Sequence, residues 1–210
     1  MNNPFRGNRL LPAAVAVISM TVFAAFPAGH PFSWSALGLA GVIMATVLFS
    51  DPHPSRLTGF SGEKNHSVPW LVAGILAGAS LGFLDRALSP VSLMPCTLLL
   101  PGLLTPLIGM TEEAIYRGFV QGVLQKYSRV WAVILASAGH TLYKSVLLAS
   151  ALPRGDPDLV LLTVLTFTTG CLFGAFRILS GRIYAPLAAH GLFDLLVYGD
   201  HATMPAWVWY

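Results

Sequence analysis

Six residues with ionisable side chains stand in apolar surroundings in the second half of this chain: Glu112, Glu113, Arg117, His140, His190 and Asp194. A glutamate beside a histidine, in a water-filled cavity of a poorly polar protein, can take a proton from water and generate a nucleophile. That is hydrolase chemistry. Each such group costs about 2.5–3.5 kcal/mol to insert in a bilayer, so each calls for a partner or a function. Residues four apart share a helix face, which pairs Glu113 with Arg117 and His190 with Asp194. Glu113 and Arg117 read equally well as a buried ion pair that offsets its own desolvation. Glu112 has Tyr116 at the same spacing, so no cation on its own helix accounts for it, and His140 is the expected partner.

These residues must be positioned by membrane helices. Of 210 residues, 55% are hydrophobic and 10% charged, too little polarity to clothe a water-soluble surface. A span needs roughly 20 apolar residues. The pattern predicts spans near Leu10–Ala28, Ser33–Ser50, Val68–Leu84, Thr105–Lys126, Val130–Ser150, Asp158–Leu179 and Ile183–Gly199. The expected fold class is therefore all-α, a polytopic transmembrane bundle of about seven spans forming one domain over 1–210. Its parts are amino-terminal helices in 1–104, a core in 105–199 and a short tail in 200–210. Val91–Leu104, punctuated by Pro95 and Pro101, is too short to span and reads as re-entrant or as a kinked extension of the fourth helix. The first segment has a second reading as a signal peptide, although its apolar run exceeds the usual length.

Depth joins the polar residues into one layer. Counted from the basic residue at each helix end at about 1.5 Å per residue, Glu112 lies about 21 Å deep, His140 about 17 Å, and His190 and Asp194 about 12 and 18 Å. Unrelated polar substitutions have no reason to share a depth, whereas an assembled site requires it. Lys144 shares a face with His140, and snorkelling to the outer surface is the favoured expectation over a role in the site. Cys96 and Cys171 have no metal-like spacing and are expected to be buried and structural. Gly74, Gly78 and Gly82 lie on one helix face and predict close packing within the molecule.

Glu112-Glu113-x-x-x-Arg117-Gly118, then His140, then His190-Gly-Leu-Phe-Asp194 resembles the CPBP family of glutamate-type intramembrane proteases, also called the CAAX protease or Abi family. The likeness runs over roughly Thr111–Gly199 and includes the lead-in Arg182-Ile-Tyr184-Ala-Pro186. It implies that Glu112 activates water with help from His140, that His190 and position 194 stabilise the oxyanion, and that Glu113 and Arg117 support the site. Two positions depart from the pattern. Ala136 stands where phenylalanine is usual, four residues before the histidine. Asp194 stands where asparagine is common, and a carboxyl group donates to an oxyanion only when protonated.

The implied activity is intramembrane peptide-bond hydrolysis. Prenyl-protein processing, bacteriocin or pheromone maturation and removal of carboxyl-terminal anchors are all permitted. The expected partners are a peptide or membrane-anchored protein substrate and the lipid bilayer, with no nucleic acid and no cofactor. Alternatives are a zinc-dependent protease, disfavoured because His-Glu-x-x-His is absent, and a non-catalytic membrane protein such as an immunity or scaffold protein or a proton-coupled carrier.

With the amino terminus in the cytoplasm, Arg6, Arg9, Arg56, Lys64, Lys126, Arg129, Arg177 and Arg182 fall inside and only Arg86 and Arg154 outside. A multi-pass location in a prokaryotic inner membrane is expected. Single cysteines near Lys64 or Arg129, in a background lacking Cys96 and Cys171, should resist an impermeant thiol reagent in intact cells, and one near Trp209 should react. Labelling at Arg129 without permeabilisation would invert the topology.

Overall fold

A computed structural model describes residues 9–26, 30–62, 67–151 and 159–202. Lys64, Arg154, Asp158 and Trp209, and the outer limit Ala28 of the first expected span, lie outside the described residues. Helices α1 (Leu10–Ala25) and α2 (Pro31–Ser50) are followed by a short helix α3 (Pro54–Thr58) and by α4 (Ser67–Leu88). Next, α5 (Leu100–Glu113), a π-helical segment (Ala114–Val120) and α6 (Gln121–Leu124) run on without a break. Helices α7 (Arg129–Ala151), α8 (Leu159–Ser180) and α9 (Tyr184–Tyr198) complete an all-α bundle, with no strand among the described residues.

Four of these helices, α2, α4, α7 and α8, are long and apolar enough to cross a membrane, and α1 is a shorter apolar helix. The bundle turns its apolar side chains outward. Phe49 is 93% exposed and Leu88 81%, while Glu112, Glu113, Arg117 and Gln121 have no exposed surface. A water-soluble domain would reverse this distribution, but lipid solvates the outer face of a membrane bundle. The protein is an integral membrane protein.

Local chemistry explains the departures from the expected elements. Pro54 starts α3, which ends at Gly59 with a φ of 82°, a left-handed cap that glycine adopts without strain. The sequence pattern did not anticipate this helix. Of the two readings of Val91–Leu104, the kinked extension holds for its last turn: α5 begins at Leu100, with Pro101 in its first turn and Pro106 inside it. The preceding stretch is non-helical and is tied down at both ends. Leu99 N–H donates to the Gly199 carbonyl at 2.9 Å. Arg86, 2% exposed, donates to the Ser92 carbonyl at 2.6 Å, the Leu196 carbonyl at 2.8 Å and Asp200 Oδ2 at 2.8 Å. Arg86 thus closes the carboxyl end of α9 and holds the Asp200 carboxyl below the usual range by its hydrogen bond. Cys96 is exposed, contrary to expectation, because it belongs to this link and not to a span.

At the opposite end Asp51 accepts from Arg9 at 2.5 Å and Lys126 at 3.2 Å, joining the ends of α1, α2 and α6. Burial pushes the Asp51 carboxyl up, but Arg9, the His53 amide and Lys126 outweigh it and hold it at about 2. Because the folded value is the lower one, this contact stabilises the fold above the usual carboxylate range of about 4 and is lost as pH falls through about 2.

Helix α9 packs on α4 and α5, α7 packs on α8 and α1, and α1 packs on α2. The approach of α4 to α9 uses the expected glycine face. A Cβ at Gly74 or Gly78 would strike the backbone of Ala185 or Ala189, and one at Gly82 would come within 2.8 Å of the Leu196 side chain. Gly41 has no such neighbour within 4 Å. Gly78→Ala should therefore cost about 1–3 kcal/mol through overpacking, and Gly41→Ala should be neutral or slightly stabilising. Thermal unfolding of the purified variants in one detergent compares them directly. Equal effects at the two positions would remove the glycine face as the reason for the α4–α9 approach.

Candidate functional site

The polar side chains of three helical segments meet inside the bundle. Glu112 and Glu113 come from the end of α5, Arg117 from the π segment, His140 from α7, and His190 and Asp194 from α9. All are buried except His190, whose side chain is 12% exposed. A π segment changes the angular spacing of the side chains it carries, and such segments recur at functional sites. Here it carries Tyr116 and Arg117, both fully buried.

The hydrogen-bond partners fix the orientation of each group. Arg117 Nη1 is 3.1 Å from Glu113 Oε1 and 2.6 Å from His140 Nδ1. A guanidinium can only donate, so His140 Nδ1 accepts and its ring proton is on Nε2. That nitrogen is 3.2 Å from Glu112 Oε2 and donates to it. The expected Glu112–His140 pair is present, with the histidine as a neutral donor oriented by Arg117. Tyr116 stacks on the His140 ring at a centroid distance of 4.6 Å and stops it from turning.

Glu112 has two further partners. Tyr143 Oη donates to Oε1 at 3.1 Å, and Lys144 Nζ lies 2.7 Å from the same oxygen. The expectation that Lys144 snorkels outward is corrected: its ammonium turns inward, where Glu112 would otherwise be an under-compensated buried charge. Both places on Oε1 are occupied. Oε2 receives His140 on one side and faces His190 Nε2, at 3.9 Å, on the other.

His190 Nδ1 is 2.9 Å from Glu113 Oε1 and donates to that carboxylate. Glu113 is thus shared between Arg117 and His190, which combines the ion-pair reading with an orienting contact. The His190–Asp194 relation is looser than their shared face suggested, at 3.8 Å between Nε2 and Oδ1. Glu112 Oε2 and Asp194 Oδ1 therefore each lie just beyond hydrogen-bond distance of His190 Nε2.

Tyr143 and two glycines were not singled out from the sequence, and Lys144 was weighed there but given the outward role. A Cβ at Gly109 would come within 2.7 Å of the His190 ring, and one at Gly170 within 2.6 Å of Arg117 Nη2. A glycine inside a span at the depth of the polar layer is the clue that could have found them. Ala136, where the resembling pattern has phenylalanine, is fully buried in the core. Among the described residues, no group of three or more His, Cys, Asp or Glu side chains has the geometry to hold a metal ion.

Comparison with known proteins agrees with the motifs. No curated protein and no solved structure matches the chain. Residues 91–196, just over half of it, match the family described as type II CAAX prenyl endopeptidase Rce1-like. This stretch contains all six residues singled out from the sequence together with Tyr143 and Lys144, and the chain belongs to the Rce1-like family of CAAX prenyl endopeptidases.

Proposed function

We propose that this protein is an intramembrane endopeptidase of the glutamate type, in which Glu112 activates the water that cleaves a peptide bond of a membrane-associated protein or peptide. The observation that carries the reading is the asymmetry of Glu112. Its Oε1 is occupied by Lys144 and Tyr143, whereas Oε2 accepts from His140 alone and lies 3.9 Å from His190 Nε2, which leaves it one acceptor place. A water bound to that place would give its proton to Oε2 while its oxygen attacks the scissile carbonyl carbon. The electron pair of the C=O bond moves to oxygen, and His190 Nε2 and Asp194 are the groups beside it. The proton held by Glu112 then passes to the amide nitrogen as the C–N bond breaks, leaving a carboxylic acid and an amine.

His190 can serve this oxyanion only with a proton on Nε2. Its Nδ1–H is committed to Glu113, so the donor form is the doubly protonated ring, whose charge Glu113 balances. His140 cannot play the same part, because its one ring proton, on Nε2, is donated to Glu112. It orients Glu112 instead. Several buried polar atoms lack a protein partner, among them Glu113 Oε2, Arg117 Nη2, Ser137 Oγ and Thr141 Oγ1, and these can bind water, the second substrate. No step is assigned to a metal. The location proposed is a prokaryotic inner membrane with the amino terminus in the cytoplasm.

The test is cleavage by purified protein in liposomes, with a farnesylated CAAX peptide as the first probe, because the matched family is described by that substrate. Glu112→Gln should lower turnover at least about 100-fold with membrane insertion intact, and His140→Ala should do the same. Substantial turnover by Glu112→Gln would end the mechanism. Active wild-type protein from the same preparation should contain no stoichiometric zinc. A bound metal whose removal stops cleavage and whose return restores it would refute the glutamate type.

Asp194 and Lys144 make a second test. Asparagine can donate or accept as a protonated or orienting carboxyl group would, so Asp194→Asn should keep much of the activity. Asp194→Ala should lose about 100- to 1000-fold, the usual effect of removing an oxyanion donor. Lys144→Met leaves Glu112 short of a cation and should reduce folded yield. Asp194→Asn removes one negative charge from the same cluster, so adding it should recover part of that loss. If Asp194→Asn is as inactive as Asp194→Ala while folding normally, the negative charge itself is needed and the oxyanion assignment falls.

A further inference from the structure

Away from the glutamate cluster, a cleft of about 250 Å³ opens where α7 begins and α8 ends. Its polar lining consists of Arg56, Arg129, Arg177, Gln125 and Ser61, with Gly62 and Gly181 completing the wall. Among the described residues no carboxylate lines it. Arg56 and Arg129 are exposed and are adequately explained as residues that set topology. Arg177 is not, because it is only 4% exposed.

A buried guanidinium is costly unless an anion or a full set of acceptors receives it. Arg177 Nη2 reaches the carbonyls of Leu57 at 3.3 Å and Arg56 at 3.5 Å, at the end of α3. Its Nε is buried with no hydrogen-bond partner, and Gln125 Nε2, also lining the cleft, is in the same condition. Among the described residues no carboxylate pairs with Arg177, Arg56 or Arg129. The backbone is shaped for this guanidinium: a Cβ at Gly59 would collide with it, and Gly59 has the positive φ that glycine tolerates.

We infer that this cleft is a binding site for a phosphate group, with Arg177 at its base and Arg56 and Arg129 at its rim. Three guanidinium groups, an amide and a hydroxyl supply donors to several oxygens at once, the arrangement that suits a phosphate better than a single-point anion. The ends of two long apolar helices set the cleft at the level of lipid headgroups, so the phosphate of an anionic phospholipid is the expected source. Free phosphate shares the chemistry and is the other source. The site does not depend on the proteolytic reading, since it lies outside the glutamate cluster.

Protein purified in a neutral detergent can be titrated with phosphatidylglycerol, with diacylglycerol lacking a phosphate, and with inorganic phosphate, while thermal unfolding and lipid retention in native mass spectrometry are followed. Phosphatidylglycerol should be retained and should raise Tm, and diacylglycerol should do neither. A rise with inorganic phosphate alone would keep the site and change its source to the free ion. The double variant Arg56→Gln, Arg129→Gln alters only exposed side chains and should weaken the phosphate-dependent binding at least about tenfold, the equivalent of one charge-assisted hydrogen bond. Arg177→Gln should weaken it further but also loosens the end of α3, so Gln125→Leu serves as the second interior test and should weaken binding without that effect. Equal responses to phosphatidylglycerol and diacylglycerol, or double-variant binding equal to that of the wild type, would overturn the proposal.

Discussion

Arg117 Nη1 sits between Glu113 Oε1 and His140 Nδ1, and the polar interior is organised around that one nitrogen. Because a guanidinium only donates, it decides which nitrogen of His140 is protonated and hence that His140 donates to Glu112. Because it also offsets the charge of Glu113, it leaves that carboxylate available to receive His190. Orientation thus passes from one buried cation to both histidines and both glutamates. Removing either partner of such a buried pair is costly, since the other is left as an uncompensated charge in a medium without water.

Charge balance explains residues that would otherwise look misplaced. Three carboxyl groups, Glu112, Glu113 and Asp194, occupy one layer with two basic side chains, Arg117 and Lys144. One further proton, on His190 or Asp194, brings the cluster to neutrality. Asp194 in place of a neutral asparagine adds a negative charge, and Lys144 adds the positive charge that accompanies it. The lysine is held inside by Glu112, although its long stem could have carried the ammonium outward.

Space for this cluster comes from residues with no polar chemistry. Gly109 and Gly170 admit His190 and Arg117, and the glycines of α4 bring that helix against α9. With the outer surface solvated by lipid, little hydrophobic force drives helices together, so close packing through small residues and interior hydrogen bonds must hold them. Arg86 at one end and Asp51 at the other fasten the chain where the helices emerge. The same economy recurs at Gly59, which makes room for Arg177.

The membrane bundle was legible in the sequence because apolar runs of span length are a one-dimensional property, set by bilayer thickness and helix rise. The six polar residues were legible for the same reason: a charge inside a span stands out, and depth can be counted along the chain. The four-residue period also paired Glu113 with Arg117 correctly. What the sequence could not fix was direction across helices. The inward turn of Lys144, the donation of Tyr143 to Glu112 and the sharing of Glu113 between Arg117 and His190 depend on which faces of α5, α7 and α9 meet. The π segment altered those faces, and an i to i+5 hydrogen-bond pattern has no hydropathy of its own to announce it. The helix α3 and the cleft beneath it were hidden likewise, because five residues after a proline carry too little periodicity to read. Length, polarity and depth belong to the chain, whereas the partners of each buried charge were decided only when the helices packed.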